Sequence, residues 1–384
     1  MVYNKIMKIA GIVAEFNPFH YGHKYLIDKI KNDYQMDLIV AAMSPNFVMR
    51  GEIAIFNKFD RTKMALENGI DMVIEIPTIY AVESASVFSL RAVELLADMG
   101  VTDLFFGVEN DDQSIFEEIV KISSTENYKN NLKKYLDEGY GFNAASKKAL
   151  VEINSDFSLV LSSPNNALAI EYLKAINLIN PSIIPHFIKR VDSSYFDTLN
   201  EGKIIQSASA IRELIKDELD CKKYVPFDAK KLVHVVEHTI FDKIKYRIIS
   251  TSRADLHKIK GVTEGFEGKL KSINSYNNYE ELVSLLVSKR NRESKIKRML
   301  IYILLNIKKD ESTKEKLPYV RILGFNNKAQ TYLKTFNNPD VEIYTAIKKG
   351  QHVALYRELD FTEIYSLISN EDIRKKEFLP VRFN

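Results

Sequence analysis

The sequence predicts an α/β protein, with a doubly wound parallel sheet in its first half and a mostly helical second half. Three observations support this prediction. Short apolar segments alternate with helical patterns up to about residue 220, helical patterns dominate from about residue 228, and the net charge changes sign between the halves. Strands that are apolar along their whole length and alternate with helices form a parallel sheet covered on both faces.

The first half contains five segments with the length and apolar content of buried strands. They are Lys8–Ala14, Leu38–Met43, Met72–Ile76, Leu104–Val108 and Ser182–Lys189. Helical patterns lie between or after them at Lys24–Lys31, Arg61–Glu67, Ser84–Asp98 and Ser207–Lys216. Serine is a typical N-cap, which Ser84 and Ser207 provide, and Gly100 is a typical residue just past a helix end. These elements together predict the doubly wound architecture.

The second half has helical patterns at Lys230–Ile249, Tyr279–Val287 and Glu293–Lys308, and short strands are predicted at Tyr319–Leu323 and Val341–Ile347. A chain of 384 residues is long enough for two domains. We place them at 7–222 and 223–384, because the charge changes sign and Pro226 follows near this boundary.

Composition excludes several classes of protein. Hydrophobic residues make up 46% and charged residues 27% of the chain, which excludes a disordered or fibrous protein. A single cysteine, Cys221, excludes a disulfide framework and a cysteine-rich zinc site. No apolar run approaches the roughly 18 residues of a membrane span, and Asn4, Lys5 and Lys8 interrupt any signal-peptide core. We therefore expect a soluble cytoplasmic protein.

Charge is distributed unevenly along the chain. Residues 1–220 carry 22 Lys+Arg against 31 Asp+Glu, a net charge of −9, whereas residues 221–384 carry 32 against 20, a net charge of +12. This asymmetry indicates that the second half faces a polyanion. The alternative is a chance distribution of surface charge.

The first candidate site follows the first predicted strand, where residues 16–23 have the sequence F-N-P-F-H-Y-G-H. A strand-to-helix junction with free backbone N–H groups is a natural phosphate site. His20 and His23 add two donors for phosphate oxygens, and Gly22 allows close approach to the backbone. Both histidines are expected on a surface loop. The alternative is that they cap a helix and fill the edge of a core.

A second candidate site is the segment I-I-Q-S-A-S-A-I-R at residues 204–212. Ser207 and Ser209 begin a predicted helix, and Arg212 lies in its first turns. Hydroxyl and N–H groups there bind a polyphosphate, while a guanidinium neutralises the leaving group. A serine-capped helix with an arginine is commonplace on its own. Paired with the histidine motif, it matches the nucleotidyltransferase superfamily, so His20, His23 and Arg212 are the predicted catalytic residues.

At this point the sequence resembles one family, the tRNA(Met) cytidine acetate ligases, which belong to the Rossmann-like HIGH nucleotidyltransferases. The resemblance rests on blocks spread over nearly the whole chain. They include G-I-V-A-E-F-N-P-F-H-Y-G-H (11–23), M-S-P-N-F-V-M-R-G-E (43–52), P-N-N-A-L-A-I-E-Y-L-K (164–174), S-A-S-A-I-R (207–212) and R-I-L-G-F-N (321–326). The resemblance implies an enzyme that activates acetate with ATP as acetyl-adenylate. It then acetylates the wobble cytidine of elongator tRNA(Met) to N4-acetylcytidine.

The resemblance also implies an ATP site. Carried over residue by residue, it comprises Ile12, Val13, Ala14, Glu15, Phe16, Asn17, Pro18, Phe19, His20, Tyr21, Gly22, His23, Lys24, Tyr25, Gly107, Asn166 and Arg190, and the superfamily pattern adds Ser207 and Ser209. Without the resemblance, Gly107 is a strand-end turn and Asn166 part of a helix cap. Mg²⁺ is expected with ATP, but no carboxylate cluster predicts a metal site in the protein itself.

Two groups of basic residues are candidates for binding the tRNA. The first is Lys289, Arg290, Arg292, Lys295, Lys297 and Arg298, at the entry to a helix whose apolar positions share one stripe. Lys295 and Arg298 fall off that stripe, so we expect them to point into solvent and to contact tRNA phosphates. The second is Arg50, Lys58, Arg61 and Lys63, which guide polyphosphate or tRNA or form a solvated charged loop.

Two other functions remain open from the residues alone. One is an adenylyltransferase with a small-molecule acceptor, which would not need a basic second half. The other is a non-catalytic RNA-binding protein with a relic nucleotide fold, which would not need His20, Gly22, His23 and Arg212. No protein partner and no membrane is implied.

Overall fold

The computed structural model describes residues 7–190, 205–227, 237–273, 275–288, 291–311 and 313–383. The strands are β1 (Ile9–Ala14), β2 (Leu38–Met43), β3 (Phe47–Val48), β4 (Glu52–Ile53), β5 (Met72–Glu75), β6 (Asp103–Val108), β7 (Ile184–Lys189), β8 (Tyr319–Asn326), β9 (Glu342–Tyr344) and β10 (Val381–Phe383). The helices of the first half are α1 (Tyr21–Asp33), α2 (Lys58–Glu67), α3 (Thr78–Ala81), α4 (Ala85–Asp98), α5 (Gln113–Ile122), α6 (Glu126–Asp137), α7 (Phe142–Ile153), α8 (Phe157–Val160), α9 (Pro164–Ile179) and α10 (Ala208–Lys216). Those of the second half are α11 (Glu237–Ser250), α12 (Arg253–His257), α13 (Phe266–Ser272), α14 (Tyr279–Leu286), α15 (Glu293–Leu305), α16 (Asn327–Thr335) and α17 (Val353–Ser369). Short 3₁₀ helices occupy Lys222–Tyr224 and Arg374–Phe378.

The five predicted strands of the first half form a parallel sheet in the order β5-β2-β1-β6-β7. Apolar side chains of α4 and α9 pack on one face, and those of α1, α2 and α10 pack on the other. The predicted doubly wound α/β fold is therefore confirmed. The order of the strands reverses between β1 and β6, and ligands bind at such a reversal, outside the carboxyl ends of the strands.

The second half returns to this sheet after its helices. Strand β8 pairs antiparallel with β5, and β9 and β10 pair parallel with β8, so the complete sheet is mixed. The strand predicted at Tyr319–Leu323 exists and continues to Asn326. The domain boundary at 222/223 stays a prediction, but strands β8, β9 and β10 of the second half belong to the sheet that the first half begins.

Four buried charged side chains join β5, α2, β8 and the chain after α17. The Lys58 ammonium lies 2.5 Å from a Glu75 oxygen and 2.8 Å from a Glu377 oxygen. The Arg321 guanidinium lies 2.8 Å from the second Glu75 oxygen and also pairs with Glu377. Each charge is compensated by two of opposite sign, which is what charges need where water is excluded.

The helices of the second half surround a second core. The predicted apolar stripe of α15 (Ile296, Met299, Leu300, Ile303 and Leu304) is buried in it, as are side chains of α11, α14 and α17. Phe47, Ile53 and Val82 of the first half also belong to this core, which joins the two halves. Among the described residues, no helix is both long and apolar enough to cross a membrane.

Candidate active site

A cavity of about 240 Å³ opens at the carboxyl ends of β1, β6 and β7, where the strand order reverses. Both candidate motifs reach it, although they are far apart in the sequence. The predicted site residues that line it are Ile12, Val13, Ala14, Glu15, Phe16, Asn17, His20, Gly22, His23, Tyr25, Gly107, Arg190, Ser207, Ser209 and Arg212. The fold thus brings together most of the residues that the sequence assigned to one ligand.

Five residues of the predicted ATP site do not line the cavity: Pro18, Phe19, Tyr21, Lys24 and Asn166. Phe19 is fully buried in the core, and Lys24 forms an ion pair with Asp28. The side-chain oxygen of Asn166 accepts a hydrogen bond of 3.0 Å from the backbone N–H of Glu109, so Asn166 fixes the chain after β6.

The two histidines begin helix α1. His20 is the N-cap, and its Nδ1 accepts a hydrogen bond of 3.0 Å from the Gly22 N–H. Nδ1 of His23 accepts one of 3.2 Å from the His20 N–H, and the two rings stack with their centroids 3.8 Å apart. Because Nδ1 of each ring is an acceptor, the ring proton is assigned to Nε2. The pair therefore offers two Nε2–H donors to a ligand.

The histidines do not lie on a surface loop, contrary to the expectation from the sequence, since His20 is only 4% exposed. Burial, together with the positive charges of Arg190 and Arg212, lowers the pKa of His20 to about 3. Burial also lowers the pKa of His23, with further contributions from His20 and Arg190. Both rings are consequently neutral at neutral pH.

Gly22 and Gly107 allow close packing inside the site. A Cβ atom on Gly22 would lie 2.7 Å from the His20 ring, so glycine preserves the capping position of that ring. A Cβ atom on Gly107 would lie 3.2 Å from Cγ of Arg190, whose side chain packs over the end of β6. The Arg190 guanidinium in turn lies 3.6 Å from a Glu109 oxygen.

The second motif docks onto the first. Ser207 is the N-cap of α10, and its hydroxyl accepts a hydrogen bond of 3.2 Å from the Ala210 N–H. Arg212 donates to the carbonyl oxygen of Asn17 at 2.8 Å and lies 3.3 Å from the Ser209 hydroxyl. Arg212 thereby holds the start of α10 against the loop between β1 and α1.

Of the basic group at 50–63, only Arg50 lines the cavity. Arg61 is fully buried and donates to backbone carbonyl oxygens of Glu15, Ser44 and Phe56 at 2.6, 3.0 and 2.9 Å. Lys58 belongs to the buried charge network, and Lys63 is exposed. The prediction that this group guides a ligand is wrong for Lys58 and Arg61, because their buried side chains are paired with groups inside the protein.

The basic segment before and in α15 lies beside the rim of the cavity. Lys289 and Arg290 fall outside the described residues, and Arg292 and Lys295 are exposed. Lys297 lies 2.8 Å from Glu293 and 3.7 Å from Glu52. Arg298 approaches the carbonyl oxygen of Met49 at 3.5 Å, so the expectation that it points into solvent is wrong.

The link between α15 and the rim is the β3–β4 hairpin, residues 47–53. Gly51 at its tip has a φ of +76°, and a Cβ atom there would lie 2.2 Å from the backbone nitrogen of Arg298. Only glycine combines this backbone conformation with so close an approach. The hairpin therefore contacts α15 on one side and supplies Met49 and Arg50 to the cavity on the other.

The apolar side of the cavity was not predicted from the sequence. Phe88, Phe106, Leu168 and Tyr172 line it, and they come from α4, β6 and α9. Burial and the neighbouring Glu15 raise the pKa of Tyr172, so its hydroxyl stays protonated. Alternation along β1 offered a partial signal, because Val13 must face away from Ile12 and therefore toward α4 and α9.

Comparison with known proteins identifies the family. A family model described as HIGH Nucleotidyl Transferase matches residues 7–378. The tRNA(Met) cytidine acetate ligase of Clostridium perfringens is 37% identical over 94% of this chain and 96% of its own. That of Staphylococcus haemolyticus is 37% identical over 95% and 96%.

Two crystal structures of Thermotoga maritima TmcAL superpose on nearly the whole chain, each covering 98% of this chain and 100% of its own. The apo form has a TM-score of 0.87 at 27% identity. The form bound with alpha-thio ATP has a TM-score of 0.83 at 26% identity. By sequence, by fold and by the two motifs that meet at the cavity, this chain belongs to the tRNA(Met) cytidine acetate ligase family of HIGH nucleotidyl transferases.

Proposed function

We propose that this protein is an ATP-dependent ligase that activates acetate as acetyl-adenylate and transfers the acetyl group to the wobble cytidine of elongator tRNA(Met). The product is N4-acetylcytidine. The observation that carries the proposal is the meeting of the His20–His23 pair with Ser207–Arg212 at one cavity, in a chain whose relatives are ligases of this name. A related structure holds an ATP analogue.

The first step needs positioning and charge stabilisation. An acetate oxygen attacks the α-phosphorus of ATP, and the bond to pyrophosphate breaks. The Nε2–H groups of His20 and His23, at the positive end of the α1 dipole, hold the phosphate oxygens, and Arg190 and Arg212 balance the charge of the leaving pyrophosphate. Ser207 and Ser209 bind the same polyphosphate from α10. No side-chain nucleophile is required.

The acetyl group has a natural place on the apolar side of the cavity. Phe88, Leu168 and Tyr172 offer a surface for a methyl group, which gains from leaving water. The nucleotide phosphates lie on the opposite side, near α1. The α-phosphorus then sits between the two, close to the end of β1.

Mg²⁺ is proposed as the companion of ATP, held mainly by phosphate oxygens and water, as this ion prefers. Within the described ranges, no three His, Cys, Asp or Glu side chains are grouped to hold a metal ion. The residues near the polyphosphate fit such an arrangement, because they are donors rather than carboxylates. With tRNA as the acceptor, the reaction belongs in the cytoplasm.

For tRNA we propose the basic segment at 289–298. Arg292 and Lys295 are exposed beside the hairpin that borders the cavity, so phosphates bound there place the anticodon loop near the acetyl-adenylate. The wobble base must be unstacked to reach the site, which single-stranded loops permit.

The test is direct. The protein is incubated with ATP, labelled acetate and total tRNA, and the tRNA is digested to nucleosides. Labelled N4-acetylcytidine that depends on ATP is the expected product, and AMP and pyrophosphate accompany it. Formation of ADP instead would contradict attack at the α-phosphorus. Labelled AMP ester without any labelled nucleoside would contradict tRNA as the acceptor.

A further inference from the structure

Glu15, the residue after β1, is a predicted ATP-site residue, but its carboxylate is not among the groups proposed to hold phosphates, because it has the same sign of charge. Among the described residues that line the cavity it is the single carboxylate. One oxygen accepts a hydrogen bond of 3.0 Å from the backbone N–H of Met49. For the other oxygen, the described part of the chain provides no hydrogen-bond donor. Glu15 therefore presents one fixed and one available oxygen to the cavity.

The position of Glu15 lies between the proposed places of the two substrates. Its hydrogen bond to Met49 ties it to the β3–β4 hairpin. The carbonyl oxygen of Met49 in turn accepts a hydrogen bond from Arg298 of α15. On the other side Glu15 neighbours Tyr172, whose pKa it raises, on the apolar side proposed for the acetyl group. A cytosine that enters past the hairpin would therefore contact Glu15 before it contacts the acetyl-adenylate.

The second step needs a proton acceptor. Attack of the cytidine N4 amine on an acyl carbon places a positive charge on nitrogen, and the proton must leave for the amide to form. The histidines are unsuited to this task, because Nδ1 of each accepts a backbone N–H and Nε2 already carries a proton. Tyr172 stays protonated, and the arginines have no acceptor.

We propose that Glu15 is the general base of acetyl transfer, acting on the exocyclic amine of the acceptor cytidine; this rests on the proposed function. The nitrogen lone pair forms a bond to the acetyl carbon, and an N4 proton passes to the available Glu15 oxygen. The bond between the acetyl carbon and the phosphate oxygen of the adenylate then breaks, and AMP leaves with the electron pair. Glu15 returns the proton to solvent.

The surroundings of Glu15 suit a base. Burial raises its pKa above 4.5, and Glu52 acts in the same direction, whereas Arg50, the Met49 N–H and Arg212 lower it. The other groups that face it are Tyr172 from α9 and Arg61 from α2. A carboxylate with a raised pKa accepts a proton more readily, and the transfer rate should increase as pH rises through that pKa.

The test separates the two half-reactions of the full-length enzyme. Acetate-dependent exchange between ATP and pyrophosphate measures adenylation, and single-turnover acetylation of elongator tRNA(Met) by preformed acetyl-adenylate measures transfer. In Glu15→Gln the amide oxygen can still accept from Met49, but it cannot take a proton at neutral pH. We expect transfer to fall by about 10²-fold or more while exchange falls by less than about tenfold, and the rise of transfer with pH to disappear.

Glu52→Gln is the charge control, because it removes the neighbouring carboxylate of the hairpin, which lies 3.5 Å from Arg212, without removing the base, and the exchange assay reports any effect on Arg212. Its transfer rate should stay within about tenfold of wild type and keep the rise with pH. Equal losses of exchange and transfer in Glu15→Gln would overturn the proposal and assign Glu15 to ATP or its Mg²⁺. Unchanged transfer would overturn it as well. If the wild-type protein makes no N4-acetylcytidine, the proposed function itself fails. That outcome is measured without the variants, so the two failures can be told apart.

Discussion

The two nitrogen atoms of the His20 imidazole have different roles, one in the fold and one in the proposed site. Nδ1 caps α1 through the Gly22 N–H, and Nε2–H is the donor proposed for a phosphate oxygen. Substitution by alanine would remove both interactions together. Asparagine retains the first alone, because its side-chain oxygen is among the best N-caps.

We predict that His20→Asn changes the free energy of unfolding by less than about 0.5 kcal/mol, whereas His20→Ala lowers it by about 1 kcal/mol. Both variants should lose acetate-dependent ATP–pyrophosphate exchange by about 10²–10³-fold, the loss expected for one preorganised donor. Urea unfolding and the exchange assay measure the two effects. Near-normal exchange in His20→Asn would show that the ring donor is not used.

The same ring makes stability depend on pH. The unfolded chain protonates His20 near pH 6.5, whereas the folded protein resists until about pH 3. Because the unfolded state binds the extra proton in this window, acid favours unfolding there. The free energy of unfolding should decrease below pH 6.5, by up to about 1.4 kcal/mol per pH unit for one such group. His20→Asn should show a shallower decrease in urea unfolding at about pH 7.5 and pH 5, and equal slopes would contradict this assignment.

Helix α15 and the β3–β4 hairpin form the element that connects the basic segment with the cavity. The sequence predicted the buried stripe of α15 correctly, since periodicity fixes which residues share a face. It placed Arg298 in solvent, because periodicity does not reveal what packs beside the next face. The tight approach at Gly51 is a long-range feature of the same kind.

We predict that Lys295→Glu weakens tRNA binding and reduces the slope of log affinity against log salt by about one unit for each phosphate that the protein no longer neutralises. Lys295 is exposed, and the one described hydrogen bond of its side chain is to Asn291, so the fold should be unaffected. Lys129→Glu on α6 introduces the same charge change at an exposed position and should leave binding unchanged. Binding assays at two salt concentrations decide, and identical reductions of affinity in both variants would locate the tRNA surface elsewhere.

Helix α17 shows why some helices were not predicted from the sequence. The buried face of α17 contains Glu358 and Thr362 among its apolar residues, whereas Val353 and Leu367 are exposed. Its sequence therefore lacks the regular alternation of an amphipathic helix. Strands β1, β2, β5 and β6 were predicted nearly to their ends because both faces of the sheet are covered there, which makes these strands largely apolar. The short strands β3 and β4 were not predicted.

At the scale of the whole molecule, four charges hold the returning segment against the first sheet. Glu75 and Arg321 are 1% and 3% exposed at their side chains. Sequence patterns treat charged residues as surface residues, so neither this network nor the pairing of β8 with β5 was predictable. The polar side of the cavity was predictable, because its residues belong to local motifs. The apolar side was not, because its residues come from three elements that are distant in the sequence.

We predict that Arg321→Met lowers the free energy of unfolding by about 3–5 kcal/mol, since it leaves Glu75 and Glu377 buried with less compensation. Arg357→Met removes a partly exposed ion pair with Glu311 and should cost about 0–1 kcal/mol. Urea unfolding of both variants measures the difference. Similar small costs would mean that water reaches the network and replaces the guanidinium.

The antiparallel pairing of β8 with β5 also sets an order of events during synthesis. A nascent chain that has emerged only to residue 318 already contains all five parallel strands, yet the outer edge of β5 has no partner. Lys58 and Glu75 are then without Arg321 and Glu377. An open edge of this kind invites pairing with other chains. We therefore expect translation products interrupted before β8 to aggregate or be degraded. The edge of β5 is protected only after the ribosome has synthesised β8.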